Sequence, residues 1–337
     1  YPLIGSMDYI MEVLRQYDLY RISKKYLLQF KNTDYILTSF GDLFGIFAGI
    51  FLHKINKKIP WIVDLRDPVC DNKLTPESVK WIALSIERNI WKGASSITAV
   101  SKGLCRRVPR KYRNKVHLIT NGYDKNDRMG IYFNNEKHSR LRLSYTGGIY
   151  GGLRDFSPLF GNVRKLIDQN EIPSDKIEFC YAGKESAYEI FKGQAQKFNL
   201  GDHCIYCGKV TRKESLRLQM ESDILLVVSW DCQANTEGMI TGKVFEYMSA
   251  ERPIIAIING DVEHSELGEI IRSAHLGFVY EESHHETDNA ALHQYLLQKY
   301  KEFEEQGSLA HKPDEKILKK YDYQYIGRKV VRILESL

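Results

Sequence analysis

The chain has 337 residues, which is room for two domains of ordinary size. Its 43% hydrophobic and 27% charged residues are those of a soluble globular protein, and a formal net charge of +5 does not demand a nucleic-acid partner. No apolar run reaches the length of a membrane span; the longest, Leu43–Leu52, has about half of it. No signal peptide is visible, but Tyr1 is not an initiator methionine, so the natural N-terminus is expected to lie further upstream.

Strand and helix patterns alternate along the chain, predicting α/β architecture with parallel sheets. A long helix is expected over about 8–30, then strands at Tyr35–Ser39, Trp61–Asp64, Ile97–Val100 and Val116–Ile119, with helices around 43–57 and 76–92. The polar stretch 125–142, containing Asn134, Asn135, Glu136, Lys137 and His138, reads as an interdomain linker. A second unit then offers six strands, at Leu143–Gly147, Ile177–Ala182, Ile205–Cys207, Ile224–Val228, Ile254–Ile258 and Phe278–Tyr280, enough for a complete doubly wound domain. Ile326, Val330, Val331, Ile333 and Leu334 mark Tyr323–Leu337 as an amphipathic helix. Two Rossmann-like domains are therefore expected, 1–142 with 323–337 packing back on it, and 143–322. With only four strands, the first domain looks as if its opening strands are missing.

Three segments carry candidate chemistry. In the second domain, Gly147–Asp155 joins a strand to a helix through four glycines, with Ser157 as expected N-cap and Pro158 in the first turn. The glycines allow close backbone approach to a ligand, and Arg154 offers a permanent charge suited to a diphosphate. The spacing is not the dinucleotide fingerprint. The loop through Gly238 and Met239 ends at Gly242, and Lys243 opens the next helix with Glu246 one turn on. A cation opposes the dipole at a helix N-terminus unless an anion joins it. A phosphate there, with Glu246 accepting sugar hydroxyls, makes this a nucleotide-sugar site. In the first domain, Asp64-Leu-Arg-Asp67 ends one strand and Asn121 follows another. Asp64 and Asp67 are the candidate catalytic carboxylates, and Arg66 and Asn121 candidate cleft residues, because open α/β sheets bind ligands at the carboxyl ends of strands.

Seven cations crowd Lys102–Lys115, and Lys54, Lys57 and Lys58 follow the apolar helix 43–52. No nucleic-acid motif accompanies them. The pattern suits an anionic membrane surface. His203, Cys204 and Cys207 sit close in sequence, but no second ligand pair exists for zinc, and on a short strand the two thiols would face opposite ways. Buried, reduced cysteines are expected, and no metal.

The segments Ile36–Ser39, Pro60–Pro68, Ile97–Gly103, Val116–Asp124, Tyr145–Asp155, Tyr181–Gly183, Gly208–Glu214, Ser222–Ser229 and Lys243–Pro253 together resemble the retaining glycosyltransferases of the GT-B fold, in particular glycosyltransferase family 4. The resemblance implies an N-terminal acceptor domain and a C-terminal domain for a nucleotide-diphosphate sugar. It implies no cofactor beyond the donor substrate. Glu246 matches the second glutamate of the E-x7-E motif, which holds the ribose; Arg154 and Lys243 match the pair that neutralises the diphosphate. The first glutamate of that motif is replaced by Gly238, and the family histidine after the N-domain strand is absent where Asp64-Leu-Arg-Asp67 stands. The expected activity is retaining transfer of a sugar to a glycan or lipid-linked acceptor in bacterial surface-polysaccharide assembly, in the cytoplasm, peripheral to the membrane. The alternatives are a nucleotide-sugar 2-epimerase, which would epimerise donor without acceptor, and a non-catalytic nucleotide-sugar-binding protein.

Overall fold

A computed structural model describes residues 5–70, 75–132, 138–230 and 240–337. Among these the chain divides into two compact units, one of residues 5–121 and 326–337, the other of 122–230 and 240–325. The stretch 125–142 thus lies inside the second unit, where Lys125–Arg128 forms a 3-10 turn and Leu141 already starts a strand. Asn134, Asn135, Glu136 and Lys137 lie outside the described residues.

The first unit runs α1 (Ser6–Leu27), β1 (Ile36–Phe40), α2 (Leu43–Ile55), β2 (Trp61–Leu65), α3 (Lys80–Gly93), β3 (Ser96–Ala99), α4 (Lys102–Arg107) and β4 (Val116–Leu118). Its four strands are parallel, in the order β1-β2-β3-β4. β2 is buried on both faces, which is why Trp61-Ile-Val-Asp-Leu65 reads as a nearly continuous apolar run. Asp42 starts α2 by accepting from Gly45 N–H at 3.3 Å. The apolar run 43–52 is spent inside this unit. Ile46, Gly49 and Leu52 are buried, and Phe47 and Phe51 pack against Tyr17 and Tyr20 of α1. Phe44, Phe47, Ile50 and Phe51 are only partly buried, so α2 lies against α1 and the sheet without being covered on every side.

The second unit runs β5 (Leu141–Thr146), α5 (Ser157–Asp168), β6 (Ile177–Ala182), α6 (Glu185–Gln196), β7 (Cys204–Tyr206), α7 (Arg212–Met220), β8 (Ile224–Trp230), α8 (Lys243–Ala250), β9 (Ile254–Asn259), α9 (Glu266–Ser273), β10 (Gly277–Glu281), α10 (His285–Gln306) and α11 (Glu315–Leu318). All six strands are parallel, in the order β10-β9-β8-β5-β6-β7. Numbered within the unit and read from β7, that is 3-2-1-4-5-6, the doubly wound dinucleotide-domain order. One face of the sheet packs on α5, α6 and α10 through Phe160, Phe191 and Leu296, and the other on α8 and α9 through Val244, Met248 and Ile271. The strand order reverses at β5 and β8, where successive strands stop extending to one side of β5 and begin extending to the other, and ligand crevices form outside such a switch point.

The last helix, α12 (Tyr323–Glu335), belongs to the first unit from Ile326 onward. There Ile326, Val330 and Ile333 gather around Ile119. Among the described residues no helix is long and apolar enough to cross a membrane.

Candidate functional site

A cavity of about 360 Å³ opens at the carboxyl ends of β5 and β6, walled by Thr146, Gly147, Gly183, the segment Lys209–Arg212, and α8 through Lys243 and Glu246. Lys243 is the first residue of α8, with Gly242 as its N-cap. Protein encloses its ammonium, although part of the side chain still reaches the cavity surface. Burial, and then repulsion from Arg154, lower its pKa to about 8, while Glu246 acts the other way. The ammonium lies 5.6 Å from the centroid of the Tyr145 ring.

Gly147 makes the space for this lysine. Its φ is +127°, and a Cβ built on it would collide with Cε and Nζ of Lys243. Both restrictions point to glycine. Tyr247 holds α8 against β5: its hydroxyl lies 3.3 Å from the amide nitrogen and from Oγ1 of Thr146.

Arg154 is 4% exposed. Its Nη1 donates to Tyr145 Oη and to Gly148 O, both at 2.6 Å. The guanidinium lies 4.5 Å from the Tyr150 ring centroid and 5.3 Å from that of Trp230, and its buried Nε has no hydrogen-bond partner. Among the described residues neither Arg154 nor Lys243 forms an ion pair with an acidic side chain. Two enclosed cations that repel each other are costly unless an anion joins them.

Glu246 accepts a short hydrogen bond from Gln219 Nε2. Gln219 is fully buried and also donates to Ser215 Oγ at 3.0 Å and Thr146 Oγ1 at 3.3 Å. Gly148 carries no steric requirement of its own, since a Cβ there would meet only Tyr150 at 3.8 Å; it contributes its carbonyl to Arg154 and Tyr145. Gly238 and Met239 lie outside the described residues. The structure thus brings Gly147, Gly148, Arg154, Lys243 and Glu246 around one end of β5. It adds Thr146, Lys209, Arg212, Ser215 and Gln219, which sequence reasoning missed. Lys209 and Arg212 fall within the quoted segment Gly208–Glu214, whose run of polar residues after a strand was the available signal. One helix start differs from expectation: Ser157 is inside α5, and the Asp155 carboxylate accepts from its N–H at 2.9 Å.

In the first unit, strand register sets Ser39, Asp64 and Thr98 level across β1, β2 and β3. Asp64 is buried and accepts from Thr98 Oγ1 at 2.7 Å, Arg66 Nε at 2.6 Å and Ser39 Oγ at 3.2 Å. Arg66 Nη1 donates in turn to Asn121 Oδ1. Asp64, Arg66 and Asn121 are therefore one network, in which the carboxylate holds the guanidinium. Asp67 is exposed and stands outside these bonds.

The two thiols expected to face opposite sides do so. Cys204 packs against the core on the α5 side, and Cys207 meets Cys180 on the other face. Glu281, His284 and Asp288 also come together at the far edge of the sheet, but Glu281 already serves Ser265 and Arg272.

No protein-family model matches the chain, and no curated protein matches it. Solved structures do. HepE of Anabaena, in complex with UDP, superimposes with a TM-score of 0.63 at 14% identity, covering 94% of this chain and 82% of that one. The UDP-forming α,α-trehalose-phosphate synthase of Burkholderia vietnamiensis gives 0.66 at 11% identity, covering 99% and 79%. The fold is GT-B. The N-terminal domain of Candida albicans trehalose-6-phosphate phosphatase, at TM-score 0.65 and 14% identity, covers 100% of this chain and 77% of that one. GT-B architecture therefore occurs in proteins named for different chemistries, and function has to be argued from the site.

Proposed function

We propose that the protein is a GT-B glycosyltransferase using a nucleotide-diphosphate sugar. The observation that carries this reading is the pair of enclosed cations, Arg154 and Lys243, neither of which forms an ion pair among the described residues, beside a glycine that makes room for the lysine. A diphosphate supplies the missing negative charge, with the N-terminus of α8 behind it. The same two cations would stabilise the departing diphosphate, a task that needs preorganised charge and no metal. Glu246, oriented by Gln219, would accept hydrogen bonds from the ribose. HepE, solved with UDP, supports uridine diphosphate as the first nucleotide to test.

On this reading the first unit serves the acceptor, a glycan or lipid-linked sugar, and transfer retains the anomeric configuration. Asp64 would position Arg66 there and Asp67 would face the reacting groups. A cytoplasmic site at the membrane, within bacterial surface-polysaccharide assembly, completes the reading. Exposed Trp81 and Leu84 share the outer side of α3 with Arg88 and Lys92, and Lys54, Lys57 and Lys58 are exposed as well, which supports docking on anionic lipid.

The test is thermal stability in the presence of UDP, GDP and uridine. A diphosphate at about one hundred times its Kd adds about 2.7 kcal/mol. UDP or GDP should raise the melting temperature and uridine should not. No shift with any nucleoside diphosphate would remove the reading. A non-catalytic binding role is favoured by one observation, Gly238 in place of the first motif glutamate. Donor binding with no transfer to any acceptor would select it.

A further inference from the structure

Cys180 lies in β6, and Cys207 directly follows β7. The register pairs Cys180 with Ile205, and Cys207 N–H donates to Tyr181 O at 2.8 Å. Two residues beyond Ile205, the side chain returns to the same face of the sheet, so both cysteines face the same way. The two thiols are near enough for each to perturb the titration of the other. Cys204, three residues before Cys207, points away and donates to Leu200 O at 3.6 Å.

The two thiols are not equivalent. Cys180 is 2% exposed, whereas Cys207 is only partly buried. The interaction with Cys180 lowers the pKa of Cys207, and Arg142 helps, while burial and Glu178 oppose it. The same interaction, with burial, raises Cys180. A reachable thiolate beside a buried thiol is the arrangement of an attacking and a resolving cysteine.

We propose that Cys180 and Cys207 are a redox modification site that closes to a disulfide on oxidation. The Cys207 thiolate attacks a low-molecular-weight disulfide, the reagent's S–S bond breaks, a mixed disulfide forms on Cys207, and one reagent thiolate leaves. Cys180 then loses its proton to that thiolate and attacks the Cys207 sulfur, expelling the second reagent thiolate. Two protein thiols lose two electrons, and the reagent gains them as two thiols. Disulfide geometry is narrow, so residue 207 must move toward β6. Gly208 permits this: it follows Cys207, has a φ of +81°, and no atom lies within 4 Å of its missing Cβ. Its carbonyl accepts from Gly183 N–H at 2.9 Å, and Lys209–Arg212, the next residues, wall the cavity. Closing the disulfide pulls on that wall.

The experiment treats the full chain with oxidised glutathione, quenches with acid, and reads intact mass and a non-reduced peptide map. Wild type should lose the mass of two hydrogens, yield a Cys180–Cys207 cross-linked peptide, and revert with dithiothreitol. Cys180→Ser should instead accumulate one glutathione on residue 207, and Cys207→Ser should do neither. In unoxidised wild type, iodoacetamide should label Cys207 well before Cys180, and the midpoint of its pH profile should move upward in Cys180→Ala, which leaves no donor at that position. A stable glutathione adduct on wild-type Cys207, loss of two hydrogens in Cys207→Ser, or earlier labelling of Cys180 would overturn the proposal. The wild-type labelling order tests it even if a variant fails to fold.

Discussion

At Lys243, burial and the neighbouring Arg154 lower the pKa to about 8. Between that pH and the unfolded value of about 10.4, the unfolded chain binds more protons than the folded one, so this residue makes stability rise with pH. Below about pH 8 its destabilising effect is fully present. Lys243→Met should therefore melt higher than wild type at pH 7 without ligand, and the gap should narrow as pH rises above 8. The same variant should lose about 1.5–3 kcal/mol of nucleotide-diphosphate binding. Melting curves from pH 7 to 9.5, with and without UDP, measure both. Gly147→Ala should cost about 1–3 kcal/mol through strain at positive φ, and weaken UDP binding by displacing the lysine. Urea titration and calorimetry check this, and unchanged affinity would show that the lysine need not sit there. Lys243, Glu246 and Arg154 were legible because each stands at a loop or helix start with a chemical reason to be there. Gln219 was not. It lies inside α7, and only the packing of α7 on α8 brings it to Glu246.

The helices and strands were legible from periodicity, but what covers them was not. The run 43–52 looked like an exposed apolar surface beside lysines because nothing in it names its partner. The partner is α1, whose contacting residues Val13, Tyr20 and the half-exposed Tyr17 are interleaved with charged ones. Gly49 fixes how closely α2 lies on β2: a Cβ there would collide with the indole Nε1 of Trp61, which donates to Thr38 Oγ1 at 2.9 Å. Gly49→Ala should destabilise by about 1–3 kcal/mol by overpacking, and Trp61→Phe in the same chain should recover part of it. Denaturant midpoints of the two single variants and the double decide this. The cationic run 102–115 also divides once folded. Arg107 Nε donates to the buried Glu87 at 2.9 Å and Arg113 Nε to Val108 O at 2.9 Å, while Arg106 and Arg110 remain on the surface. Arg107→Ala should cost about 3–5 kcal/mol of stability, the loss expected when a buried ion pair is broken. Arg110→Ala should leave stability within about 0.5 kcal/mol and lower binding to anionic vesicles. If both variants melt alike, Arg107 is a surface charge after all.

For the molecule as a whole, alternation of strand and helix was enough to reach two parallel-sheet units, because the doubly wound order is the common solution for six such strands; the GT-B fold was reached through the resemblance of the motif segments from Ile36 to Pro253. The unit boundary was harder to read. Polar composition at 125–142 suggested a linker, yet Tyr123 N–H donates to Tyr321 O at 2.9 Å and Tyr323 N–H to Tyr123 O at 3.1 Å, so the chain is already tied into the second unit there. Distant backbone partners of this kind leave no mark in local composition. The strand order has a further consequence, in time. β5 is made first but ends at the centre of its sheet, between β6 and β8. During synthesis β6 and β7 can pair on one side of it soon after they emerge. The other side stays open from Thr146 until Ile224 is made, an interval on the order of ten seconds at ribosomal rates. For that interval a strand destined to be buried offers a free edge, the template on which other chains pair. Synonymous codons that slow translation between 146 and 224 should lower the soluble yield of newly made protein, while the same slowing after residue 260 should not. Pulse-labelling with separation of soluble and pelleted chains would measure the difference. The arrangement that places the candidate site at the middle of the sheet also makes that middle the part that waits longest for its second neighbour.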